Sequence, residues 1–157
     1  MTDTDQQQAM TPLQVNAQYT KDLSFEVPGA PAIFSELSGA APEISVRVDL
    51  NAEKLGNTAF EVVMKLAVEA KVADKVAFIV DLTYAGIFTL NVPDEHMQPV
   101  LLIECPRLLF PFARNIIADV TRDGGFPPML LQPIDFVSLY RSRVEQMAAQ
   151  GPAQGTA

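Results

Sequence analysis

Residues 60–84 read FEVVMKLAVEAKVADKVAFIVDLTY, and this stretch decides the fold. Phe60, Val62, Met64, Leu66 and Val68 occupy every second position and oppose Glu61, Val63, Lys65, Ala67 and Glu69. After Val72-Ala73-Asp74-Lys75 the alternation resumes, with Phe78, Val80, Leu82 and Tyr84 opposing Ala77, Ile79, Asp81 and Thr83. A period of two places successive side chains on opposite faces of a pleated ribbon, so both runs predict strands. The segment between them is short enough for a hairpin turn. Apolar residues stand on both faces of these two strands, which are the longer ones.

The same reading extends upstream. Ile44, Val46, Val48 and Leu50 alternate with Ser45, Arg47 and Asp49, and Leu23, Phe25 and Val27 alternate with Asp22, Ser24 and Glu26. Each of these strands has one apolar and one wet face. Between them, residues 30–42 carry Pro31, Gly39 and Pro42 and suit a crossover loop anchored by Phe34 and Leu37. An antiparallel meander of four strands is the expected sheet.

Past Asn91 the period changes. Leu109, Phe110, Ala113, Ile116, Ile117 and Val120 recur at the three-and-four spacing of a helical stripe, which predicts a core-facing helix over 107–123. Pro106 suits its first turn, Pro111 predicts a kink or a later regular start, and Gly124-Gly125 predicts its end. A second helix is expected from the cap Asp135, with Phe136, Leu139, Tyr140, Val144 and Met147 along one side. The fold class is therefore α+β, a four-stranded antiparallel sheet followed by two C-terminal helices. The chain divides into a flexible N-terminal segment (1–18), one folded domain (19–149) and a disordered tail (150–157).

The composition narrows the function. Of 157 residues 48% are hydrophobic and 19% charged, as expected of one globular domain, and the formal charge of -8 argues against a surface that tracks nucleic-acid phosphates. The polar, acidic residues 1–10 lack a basic segment followed by an apolar run, and no apolar stretch approaches the ~20 residues that span a bilayer, which predicts a cytoplasmic protein without direct membrane insertion. The lone Cys105 sits in the apolar run 101–110 and reads as a small buried hydrophobe. His96 has no second histidine to share a metal, and its neighbours Asp94 and Glu95 read as an acidic helix start. The glycines have no phosphate-cradling spacing. These absences point away from catalysis and predict neither cofactor nor metal. The apolar surplus predicts either subunit association or an open hydrophobic groove, and composition also allows all of it to fill a monomeric core.

Tyr19-Thr20-Lys21-Asp22-Leu23-Ser24-Phe25-Glu26 followed by Pro28, Ala30 and Pro31 resembles the start of the bacterial protein-export chaperone family SecB. Gly86-Ile87-Phe88, Cys105-Pro106, Leu109-Phe110-Pro111, Ala113-Arg114, Gly125-Phe126-Pro127 and Pro133 resemble its later signatures in order and spacing. The resemblance runs from about Tyr19 to Tyr140 and marks residues 19–149 as a SecB-like chaperone domain. It implies a homotetramer, a dimer of dimers with eight-stranded sheets, that holds precursor proteins unfolded without ATP and delivers them to the translocation motor SecA.

The resemblance also assigns positions. Asp22, Glu26, Ile79 and Asp81 match the face that docks SecA's basic zinc-bearing module, the zinc belonging to the partner. Phe34, Leu37, Ile44, Val46, Val48 and Phe126 match the client-binding surfaces. Val80, Leu82, Tyr84, Leu109, Phe110 and Ile117, the apolar surplus, are assigned to the oligomer interface. The competing reading is a SecB-like adaptor or antitoxin chaperone serving one dedicated partner, with a small-molecule enzyme third.

Overall fold

The computed structural model describes residues 11–150. Four strands, β1 (Leu13–Glu26), β2 (Glu43–Lys54), β3 (Ala59–Val72) and β4 (Lys75–Leu90), form one antiparallel sheet in the order β1-β4-β3-β2. The alternation expected of β2, β3 and β4 holds, and these three strands form the meander. Val72 pairs with Lys75 across a two-residue turn in which Ala73 (φ 48°) and Asp74 (φ 66°) are both left-handed, the geometry whose twist matches its flanking strands.

β1 departs from the expected meander. It crosses over β2 and β3 through the segment that contains the short helix α1 (Ile33–Glu36) and pairs with β4 instead. The physical reason lies in β4, which is apolar on both faces over Ala77-Phe78-Ile79-Val80 and therefore belongs inside the sheet with a neighbour on each side. β2, with Ser45, Arg47, Asp49 and Glu53 on one face, belongs at an edge. The first strand also begins at Leu13, ahead of the boundary expected at Tyr19, so residues 13–18 belong to the folded domain. The tail expected at 150–157 lies, from 151 onward, outside the described residues, as do residues 1–10.

The core sits between one face of the sheet and the C-terminal helices. Phe60, Val62, Met64, Leu66, Val68, Val80, Leu82, Tyr84 and Phe88 bury their side chains there against Leu109, Phe110, Ala113 and Ile117. Those last four come from α3 (Cys105–Asp123), which continues without a break from α2 (Asp94–Pro99) through a π-helical turn at Val100–Glu104. The helix thus starts earlier than expected and runs through Pro111. It can do so because Pro111 lies on the exposed side, as does Arg107, whose carbonyl loses its helical donor. Gly86 is required where α3 crosses the sheet, since a β-carbon there would stand 2.9 Å from a Leu109 methyl and 2.8 Å from the Phe88 ring.

After Gly124-Gly125 the chain runs as a loop to α4 (Phe136–Ala149). Two side chains of α3 clip this loop down. Thr121, buried, donates from Oγ1 to the Ile117 carbonyl at 2.8 Å and accepts from the Met129 amide at 2.9 Å, and Arg114 Nε donates to the Leu131 carbonyl at 2.8 Å. Asp135 caps α4 as expected, accepting from the Ser138 amide at 3.1 Å. Phe136 is buried, but Val144 and Met147, expected along the packed side, are exposed. The outer half of α4 is held to the body through Arg143, whose guanidinium donates to the Leu50 carbonyl of β2 at 2.7 Å.

Candidate functional site

The inner face of β2 is a part of the core side that the helices do not fully cover. Ile44, Val46, Val48 and Leu50 point to this face, and Ile44 and Val46 remain 37% and 44% exposed. An exposed pair of β-branched side chains on a strand's core face is left without a cover by the described residues. At the Ile44 end lies an apolar cavity of about 280 Å³ lined by Leu37, Ile44, Phe78, Phe126 and Met129, with Pro42, Pro127 and Pro128 at its rim. At the other end Val48 and Leu50 meet Leu102, Leu139, Tyr140 and Arg143 around a second cavity of about 320 Å³. Val46 lies between. Ile44 to Leu50 spans about 20 Å of strand, the length of roughly six residues of extended chain.

Four phenylalanines build the wall at the first cavity. Phe126 packs at 5.2 Å from Phe34, 5.0 Å from Phe78 and 6.5 Å from Phe25, ring centroid to ring centroid. Of the six positions assigned to client binding, Leu37, Ile44 and Phe126 line this cavity, Phe34 backs it, and Val46 and Val48 extend it toward the second. Sequence reasoning missed Phe25, Phe78, Met129 and the prolines at 127 and 128. The unbroken Phe126-Pro127-Pro128-Met129-Leu130-Leu131 run, apolar yet without helical or strand period, was the available signal.

The opposite face of the sheet gathers the acidic set. β1 pairs with β4 so that Glu26 stands opposite Ile79, Ser24 opposite Asp81 and Asp22 opposite Thr83. Cross-strand partners share a face, so Asp22, Glu26, Ile79 and Asp81 lie together on the outer surface. Among the described residues none of these three carboxylates has an ion-pair partner. Of the cations near them, Lys21 is engaged at 3.1 Å from Glu61, while Arg47 and Lys65 border the same hollow as Asp81 without reaching ion-pair distance of it. Tyr19 also donates its hydroxyl to Glu61. Burial, then this hydrogen bond and the charge of Glu61, push the Tyr19 phenol up to about 12, while the bond from Tyr19 holds the Glu61 carboxyl below its ordinary value.

The six positions assigned to the oligomer interface lie inside the protomer. Val80, Leu82, Tyr84, Leu109, Phe110 and Ile117 are all buried within the single chain, where they pack against one another. An apolar stripe on a helix or strand specifies burial without specifying whose surface buries it. Apolar side chains open to a partner include Val15 and Leu23 on β1 and Leu108 and Phe112 on α3.

Neither lone reactive group is placed for catalysis. Cys105 is buried, and burial followed by the charge of Glu104 pushes its thiol up to about 12, far from a nucleophilic thiolate at neutral pH. His96 is exposed beside Glu95, 3.9 Å away. Among the described residues no cluster of three metal-ligating side chains occurs, and no helix is long and apolar enough to cross a membrane.

Residues 5–147 match the model of the family described as preprotein translocase subunit SecB. This chain belongs to the SecB family. It is 63% identical over 138 residues to the protein-export protein SecB of Paramagnetospirillum magneticum, covering 88% of this chain and 89% of that protein. The protein-export protein SecB of Rhodospirillum rubrum is 55% identical over 146 residues, covering 93% and 91%. Among solved structures, a SecB-like chaperone of Mycobacterium tuberculosis in complex with an antitoxin peptide superposes with a TM-score of 0.62, covering 78% of this chain and 91% of that one. At 16% identity this likeness shows a shared SecB-like fold alone. Identity to export proteins, which is high and spans nearly the whole chain, favours the export reading over a dedicated antitoxin chaperone. The chain is a SecB protein-export chaperone, and its family is not an enzyme class.

Proposed function

We propose that this chain holds precursor proteins unfolded without ATP, seating their apolar segments along the inner face of β2, and passes them to SecA docked on the acidic outer face. The observation that carries this reading is the exposed Ile44–Val46 pair on the core face of β2, with an apolar cavity at the Ile44 end and a mixed polar and apolar one where Val48 and Leu50 run under α4. An extended segment offers alternating side chains to such a track, and burial of apolar surface stabilises the contact by about 25 cal/mol per Å². Nothing in the track selects one sequence, as holding many different clients requires. Two cavities separated by exposed Val46 suit a chain with apolar residues several positions apart.

The working form is a cytoplasmic homotetramer, a dimer of dimers. Its support is the edge position of β1 together with exposed Val15, Leu23, Leu108 and Phe112, since an open edge strand flanked by apolar side chains is stabilised by pairing with another copy. The outer face, where Asp22, Glu26 and Asp81 form no ion pair among the described residues although Arg47 and Lys65 stand near Asp81, offers carboxylates to a basic module, and neither contact calls for a metal or cofactor on this chain.

The test is refolding of an unrelated slow-folding protein. Added in stoichiometric amounts and without nucleotide, this chain should delay recovery of the client's activity. Unchanged refolding kinetics at a molar excess would defeat the holding function.

A further inference from the structure

The loop that carries Phe126 begins with two glycines, and the first of them has no conformational reason to be one. Gly124 closes α3 at φ −79° and ψ 2°, which any residue can adopt. The reason is space. A β-carbon built on Gly124 would overlap Cε1 and Cζ of the Phe25 ring and stand 3.2 Å from the Val120 carbonyl oxygen. Phe25 belongs to β1 and reaches under the end of α3 to lie 6.0 Å from Phe78 and 6.5 Å from Phe126, the two rings that line the apolar cavity. Gly125 continues the pattern at φ +94°, with its missing β-carbon 3.0 Å from the Phe34 ring that packs on the other side of Phe126.

We infer that Gly124 is a positioning residue for client binding, acting through Phe25. Bare backbone at this point lets the Phe25 ring close against α3, which fixes where Phe78 and Phe126 stand and so sets the shape of the cavity. A methyl group on residue 124 has no free volume to enter, since Val120 blocks the helix side. The ring must move, and the rings it meets are those of the cavity wall. Close-packed aromatic clusters do not absorb such a shift locally. The inference rests on the reading of the inner face as the client site.

The experiment compares the full chain with Gly124→Ala, Phe25→Ala and the double variant. Each is measured for affinity toward a fluorescently labelled, reduced and carboxymethylated protein that cannot fold, alongside thermal midpoint and native mass. Gly124→Ala should weaken binding about tenfold at a temperature where it is fully folded. In the Phe25→Ala background the same change should weaken it further by less than about twofold, because the ring that transmits the effect is gone. The inference is overturned if folded Gly124→Ala binds like the parent, if only its thermal midpoint falls, or if the loss is equally large without the Phe25 ring. Should Gly124→Ala fail to fold, the double variant must fold, and its failure to do so also overturns the inference. Absence of binding by the parent chain would instead remove the client-site reading and this inference with it, which separates the two failures.

Discussion

Leu82→Asp should unfold the protomer. The side chain is buried in mid-strand on β4, paired with Leu66 of β3 on one side and Leu23 of β1 on the other, beneath the helix that carries Leu109 and Ile117. Among the described residues no lysine or arginine is buried. An unpaired charge at such a site costs on the order of 3–5 kcal/mol, a large share of the 5–15 kcal/mol that holds a typical domain together. Circular dichroism and native mass measurement should therefore show loss of sheet signal together with loss of assembly. A well-folded dimer with native sheet content would return Leu82 to an interface between copies, as the apolar pattern alone had suggested.

Reversing Asp22 and Glu26 to Lys should have the opposite profile, sparing the fold and removing a partner. Both side chains are exposed on the outer face of β1 and make no ion pair among the described residues. Substitutions of this kind usually change stability by within about 0.5 kcal/mol. A basic module approaching the same face would meet two cations where it had met two carboxylates. Like-charge contacts of this sort cost several kcal/mol, so SecA's C-terminal module should bind at least about a hundredfold more weakly at low salt. The parent's affinity should itself fall as salt rises, with screening over about 8 Å at physiological ionic strength. Refolding assays on the double variant should still show client holding. Unchanged affinity for the module would move the docking site away from this face.

Faces were legible in the sequence, and neighbours were not. Alternation along Ile44–Leu50, Phe60–Val68 and Phe78–Tyr84 told which side chains share a surface, because a strand cannot turn one residue without turning the next. It carried no information on which strand lies beside which, so β1 was expected next to β2 and stands next to β4. The same limit explains the interface assignment. Leu109 and Ile117 of α3 read as surplus apolar surface when each element is considered alone, and they are consumed once α3 lies across β4 and β3. Helix ends were legible where chemistry marks them, at Asp135 and at Gly124-Gly125. The start of α3 was not, since Pro111 reads as a breaker unless its exposed position is known.

The β2 pattern showed that Ile44, Val46 and Val48 share an apolar face, but it took the resemblance to SecB to name them, with Phe34, Leu37 and Phe126, as candidates for client binding. Phe25 and Phe78 could not be assigned, since on their strands they look like any other core residue. Thr121 was invisible for the converse reason. A polar residue in a helix reads as solvent-facing, whereas here its hydroxyl is buried and ties the Phe126 loop to α3 at Met129.

The central claim, that unfolded chains are held on the inner face of β2, is tested most directly by the affinity of an unfolded, labelled protein for Ile44→Ser/Val46→Ser at unchanged native mass. Both positions are exposed, so the variant should fold and assemble like the parent. Loss of apolar burial at two contacts should weaken binding at least about tenfold, with a heat-capacity change on binding less negative than the parent's. Affinity and heat-capacity change equal to the parent's would place the clients elsewhere on the molecule.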